Sequence, residues 1–108
     1  MMRYKMIITK RKPVSVGEII TEEYLKPLGI TQGQLGQAMG VSRRTVNELC
    51  TGKRAITVDT ALMLGTVFEN TPEFWLNLQR RIDIWNVLHN PERKARIEKA
   101  RPLRSSFA

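Results

Sequence analysis

Between Thr31 and Arg54 the chain carries two helix starts and two helix stops, with one small apolar face shared between them. Thr31 with Gln34 fits a capping box, the hydroxyl covering one backbone N–H while the amide reaches back. Leu35, Ala38 and Met39 then recur at helical spacing on one face. Gly40 stands where that helix must stop, in a position that favours a left-handed backbone. Val41 follows as an apolar plug in the turn, and Ser42 is a second N-cap. Val46 and Leu49 form the inner side of the helix that Ser42 starts. Arg43, Arg44, Asn47 and Glu48 are left on its outer side. Gly52 closes this helix, and Lys53 and Arg54 follow. The pattern predicts two short helices joined by a tight glycine turn, the second polar on its outer face, as a helix-turn-helix requires.

The outer face carries side chains suited to reading bases. Arginine can donate two hydrogen bonds to the guanine edge in the major groove, asparagine can pair with adenine, and a carboxylate can accept from cytosine. Gln32, opening the first helix, would lie near a phosphate, where a helix N-terminus already favours an anion. Lys53 and Arg54 would hold the backbone beyond the second helix. The plainer alternative is a helical hairpin with a solvated charged face.

Charge agrees with a polyanionic partner or an acidic protein surface. The formal net charge is +8 over 108 residues, more than neutral packing needs. Simple solubility is the competing explanation. The surplus gathers at the ends: Lys10, Arg11 and Lys12 near one, and Arg93, Lys94, Arg96, Lys99, Arg101 and Arg104 near the other. Such clusters serve either as solvated arms or as binding surfaces.

Several function classes drop out. One cysteine, Cys50, rules out an internal disulfide, and with the single histidine, His89, it cannot build a His/Cys zinc site. Cys50 is expected to pack as a small side chain, which suits a reducing, cytoplasmic setting. Met6-Ile7-Ile8 is too short for a signal-peptide core, and no apolar run reaches membrane-spanning length. No Ser/His/Asp or Cys/His set and no glycine-rich phosphate loop is present, so an enzyme is not expected. No cofactor is implied.

The remaining sequence predicts one all-helical domain. Residues 1–14 read as a basic extended arm, with a weak strand signal at Tyr4, Met6 and Ile8. Ser15 and Glu18 form a capping pair ahead of Ile19, Ile20, Tyr24, Leu25 and Leu28, and Pro27 and Gly29 should end that first helix. Thr57 caps a fourth helix whose inner side is Ala61, Leu62, Leu64, Val67 and Phe68. Thr71-Pro72-Glu73 starts a fifth, with proline at the first helical position and an acid in the first turn. It should run to about His89 and stop at Asn90-Pro91. Glu92 to Lys99 could add a polar helix. The fifth helix carries a seam of Trp75, Leu78, Ile82 and Trp85, too apolar for a face in water. Two roles are open and compatible. Phe74, Trp75 and Leu78 would turn inward as core, and Ile82, Trp85 and Leu88 outward as a dimer interface. The domain is thus placed at 15–90, with the arm at 1–14 and a basic extension at 91–108.

These segments resemble a known family. Residues 17–31, with Glu23-Tyr-Leu-Lys-Pro-Leu-Gly29, look like the first helix of HigA-type antitoxins, also described as virulence-associated or plasmid-maintenance antidote proteins. Val41 to Asn47 and Gly52 to Thr57 resemble that family's recognition helix and following turn. Thr71-Pro-Glu-Phe-Trp-Leu-Asn-Leu-Gln79 resembles its most recognisable motif. A helix-turn-helix alone would indicate only the broader Cro/C1-type superfamily. The resemblance implies a compact, five-helix, lambda-repressor-like domain that dimerises and binds a palindromic operator. It implies repression of its own operon and neutralisation of a HigB-type ribonuclease toxin. By that likeness Arg43, Arg44, Thr45, Asn47 and Glu48 meet bases, while Gln32, Ser42, Lys53 and Arg54 meet phosphates.

The chain departs from the family pattern in places. Val16 stands where many members have proline. Gly33 and Gly36 lie inside the second helix, where alanine or glutamate is more usual, and each costs roughly 1 kcal/mol of helix stability. A chain this basic also matches a basic ribonuclease poorly, so a toxin would need an acidic or mainly apolar contact. A phage- or plasmid-type repressor with no toxin partner shares every DNA-facing residue and is the alternative function.

Overall fold

The computed structural model describes residues 11–103, and the expected strand signal at Tyr4 to Ile8, Lys10 and Arg104 lie outside them. The described residues form six helices and no strand: α1 over 16–28, α2 Gln32–Met39, α3 Arg43–Thr51, α4 Val58–Phe68, α5 Pro72–Leu88 and α6 Pro91–Ile97. The added helix, α6, is the polar segment at the start of the C-terminal extension. Residues 12–15 have no regular structure.

Every expected N-cap is in place. Ser15, Thr31, Ser42, Thr57 and Thr71 each have extended backbone and accept a hydrogen bond from a backbone N–H three residues on. Ser15–Glu18 and Thr31–Gln34 are complete capping boxes. Asn90 caps α6 in the same way, by accepting from Arg93 N–H.

Pro27 does not end α1. It has no N–H for the Glu23 carbonyl, and in a regular helix its ring would press against that oxygen. The helix instead widens over Ile20–Leu25 to an i to i+5 pattern, with Lys26 N–H reaching the Thr21 carbonyl. This wider turn carries the chain through Pro27 to Leu28. Gly29, at φ 66°, makes the stop.

α2 and α3 meet across a turn that requires Gly36. Val41 N–H donates to the Gly36 carbonyl at 2.9 Å. A Cβ on Gly36 would sit 2.9 Å from the Val41 carbonyl oxygen and 3.2 Å from that of Ser42. The glycine therefore lets the turn fold back against α2, which offsets its helix cost.

The core joins all helices except α6. Ile20 and Leu25 of α1, Leu35 and Met39 of α2, Val46 and Leu49 of α3, Ala61 and Leu64 of α4, and Trp75 of α5 are buried together with Ile56. Trp75 is fully buried and is packed by Tyr24, Phe68 and Phe74. Its indole N–H donates to Asn70 Oδ1 at 2.8 Å, and Asn70 Nδ2 donates to the Tyr24 hydroxyl at 3.1 Å. This chain of bonds satisfies the tryptophan's one polar atom and ties α1 to the α4–α5 loop.

Some expected inner positions face outward. Ala38, Leu28, Leu62 and Phe74 are exposed. Phase along a helix is read from spacing, but which edge of the stripe is covered depends on neighbours that spacing does not reveal. Phe74 still rests edge-on against Trp75.

Candidate nucleic-acid interface

α3 begins at Ser42, whose hydroxyl accepts from Thr45 N–H at 3.1 Å and pairs with the Thr45 hydroxyl at 3.0 Å. Val46 and Leu49 are buried on the inner side, which turns Arg43, Arg44 and Asn47 outward. These three line one shallow surface depression. The first turn of α3 also presents the positive end of the helix dipole, so the surface favours an anionic partner.

Two sets of hydrogen bonds order this surface. Asn47 Nδ2 donates to Gln32 Oε1 at 3.1 Å, which links the outer faces of α3 and α2. Glu48 receives two arginines. Arg44 Nε donates to Oε2 at 3.3 Å, while Arg54 Nε and Nη2 donate to Oε1 at 3.0 and 2.7 Å. The Glu48 main-chain carbonyl also accepts from Lys53 and Arg54 N–H, at 2.9 and 3.1 Å. These bonds run across the stop at Gly52, where φ is 80°. The hydrogen bond from Arg54, helped by the charges of Arg54 and Arg44, holds the Glu48 carboxyl below the usual carboxylate range despite its desolvation.

The geometry sorts the expected residues. Arg43, Arg44 and Asn47 share the outer face of α3, with Thr45 half-buried beside the cap. Gln32 is brought to Asn47, and Lys53 and Arg54 are exposed just past α3. Both oxygens of Glu48 are engaged within the chain. The Arg44–Glu48 pair was not expected, although a separation of four on one helix is a signal that could have found it. Spacing carries no such signal for the Arg54 and Gln32 partners, because both depend on the turns.

Along α5, Ile82 and Trp85 are half-buried, whereas Leu88 is buried within the chain itself. Leu88 was expected to face outward and does not. α6 packs against α5 near this end. Trp85 stacks on His89 at 3.8 Å between ring centres, with Lys12 Nζ 5.7 Å from its ring.

Cys50 is half-buried at the end of α3, and burial pushes its thiol up, against the lowering effect of a hydrogen bond with Thr21. That makes it a packing group rather than a nucleophile. Among the described residues no three His, Cys, Asp or Glu side chains cluster as a metal site, and no helix is long and apolar enough to cross a membrane.

A helix-turn-helix family model matches residues 22–76. Antitoxin HigA-1 of Vibrio cholerae is 45% identical over 91 residues, spanning 84% of this chain and 86% of that one. This chain belongs to the HigA-type antitoxin family. Two solved HigA-type structures share its fold. An addiction module antidote protein from Coxiella burnetii superposes with a TM-score of 0.75 at 38% identity, over 85% of this chain and 99% of its own. Antitoxin HigA of Pseudomonas aeruginosa, solved with the higBA promoter, gives 0.74 at 31% identity, over 83% and 96%. The HigA-type family consists of DNA-binding regulators within the Cro/C1-type superfamily, not enzymes.

Proposed function

We propose that this HigA-type chain binds its own operator as a homodimer, represses its operon and neutralises a HigB-type ribonuclease toxin. α3 enters the major groove with Arg43, Arg44 and Asn47 toward bases and Thr45 at the groove edge. Ser42, Gln32, Lys53 and Arg54 face phosphates. Gln32 has a double role, touching the backbone while aiming Asn47. The observation that carries this reading is the exposed group of Arg43, Arg44 and Asn47 on the first two turns of one helix, with Asn47 already held by Gln32. The relative solved with promoter DNA supports the choice of ligand.

The seam of α5 supplies the two-fold contact through Ile82 and Trp85, since half-sites about one DNA turn apart require two copies. Leu88 is covered within its own chain and is not part of that surface. The toxin is held away from the strongly basic face, because a basic ribonuclease would be repelled there.

The deciding experiment for DNA is fluorescence anisotropy on the duplex just upstream of the chain's operon, against a scrambled duplex. Operator preference supports the reading, and equal binding overturns it. For the toxin, the chain is co-expressed with the product of the neighbouring reading frame. A co-purifying complex and rescued growth support neutralisation, whereas neither result leaves a repressor without a toxin. Sedimentation of the wild type against Trp85→Ala tests the dimer: the variant should shift toward monomer.

A further inference from the structure

We infer that Glu48 is a positioning residue that aims Arg44 at its base pair and couples it to the phosphate-facing Arg54, rather than reading a base itself. The inference rests on the proposed DNA reading and assigns Glu48 a role different from the cytosine contact expected from its residue type.

A carboxylate on a DNA-facing helix is repelled by phosphates unless cations neutralise it. Glu48 is neutralised on both sides. Each oxygen takes a different arginine, and its side chain is 22% exposed, whereas that of Arg44 is 87% exposed. Arg44 spends only Nε on this bond, so both of its terminal nitrogens remain to face a guanine edge. Fixing Nε sets the plane of the guanidinium, and a fork with a set plane loses less freedom when it binds. Arg54 comes from beyond Gly52 and meets the same carboxylate through two nitrogens. Its main-chain N–H, with that of Lys53, also bonds to the Glu48 carbonyl. One residue therefore fixes both the reader on α3 and the turn that follows it.

The test is Glu48→Gln, with Arg44→Ala and the double variant, on the operator, on operators carrying single base-pair changes, and on random duplex. Thermal melting of each variant reports folding. Glu48→Gln adds one net positive charge, so binding to random duplex should strengthen. Discrimination at the base pair that Arg44→Ala relaxes should fall roughly tenfold, within the range of one bidentate contact. In the Arg44→Ala background the same change should cost no further discrimination. These opposite movements would not come from general weakening of the fold. The inference is overturned if Glu48→Gln lowers operator and random binding alike, if it leaves discrimination intact, or if its effect on discrimination persists without Arg44. A wild type with no operator preference removes the DNA reading itself, a result distinguishable from failure of the Glu48 variants alone.

Discussion

The outer face of α3 and the inner side of α5 are ordered by opposite means. On α3 the exposed polar side chains are held by one another, through Gln32–Asn47 and Arg44–Glu48–Arg54. On α5, Trp75 is fixed by burial among Tyr24, Phe68 and Phe74. Exposed ion pairs contribute little to stability, whereas a fully buried tryptophan contributes much. Loss on the α3 face should therefore alter function with little change in melting, and loss at Trp75 should alter melting first. The two ends of α5 repeat the contrast, since Trp85 lies half-buried against an exposed histidine.

The largest expected effect breaks the buried side. Trp75→Ala should lower stability by about 3–5 kcal/mol, seen as a large drop in the urea midpoint, and should orphan Asn70 Oδ1 as well. A loss below about 1 kcal/mol would show that the aromatic cluster is not the anchor of the fold.

The two glycines of α2 give the next contrast, on one helix with one substitution. Gly36→Ala should destabilise by about 1–3 kcal/mol, because its Cβ meets backbone that can yield only by shifting the turn. Gly33→Ala should stabilise by roughly 0.5–1 kcal/mol, because its Cβ finds ordinary contacts at 3.7 Å and beyond. Paired denaturant titrations check both signs. Equal shifts would mean that α2 and the turn are not packed as described.

Lys53→Ala sharpens the polar side. It should weaken operator and random duplex alike and lower the salt slope by about one unit, without changing base preference. The smallest effect is on acid stability. The carboxyl of Glu48 titrates below its ordinary value in the folded chain, chiefly because Arg54 donates to it. Its contribution is then complete above about pH 4.5, the unfolded value, and is lost as pH falls through the lower folded value. Glu48→Gln should flatten that part of a stability-against-pH curve and lower stability slightly near neutrality, where the contribution it removes is complete.

Local chemistry was the readable part of the sequence. Caps at Ser15, Thr31, Ser42, Thr57 and Thr71 involve residues three apart, and all are present. The same holds for the stops at Gly40 and Gly52. Pro27 misled because a six-residue widening upstream lets a helix pass a proline. Ala38, Leu28 and Leu62 fit a helical stripe but lie at its uncovered edge. Leu88 lies inward because its own chain covers it, which the α5 spacing does not reveal. At the site, the residue types on α3 pointed to DNA. Their partners did not show, because Gln32 and Arg54 reach them only after the turns form.

We propose that α3 reads operator DNA through its first two arginines. This is tested most directly by the operator affinity of the Arg43→Ala/Arg44→Ala double variant, measured beside the wild type at one fixed salt concentration with melting recorded for both. Operator binding should fall by about 2–6 kcal/mol, from two base contacts of about 1–3 kcal/mol each, with the melting temperature nearly unchanged. Unchanged operator affinity in a folded double variant would contradict it.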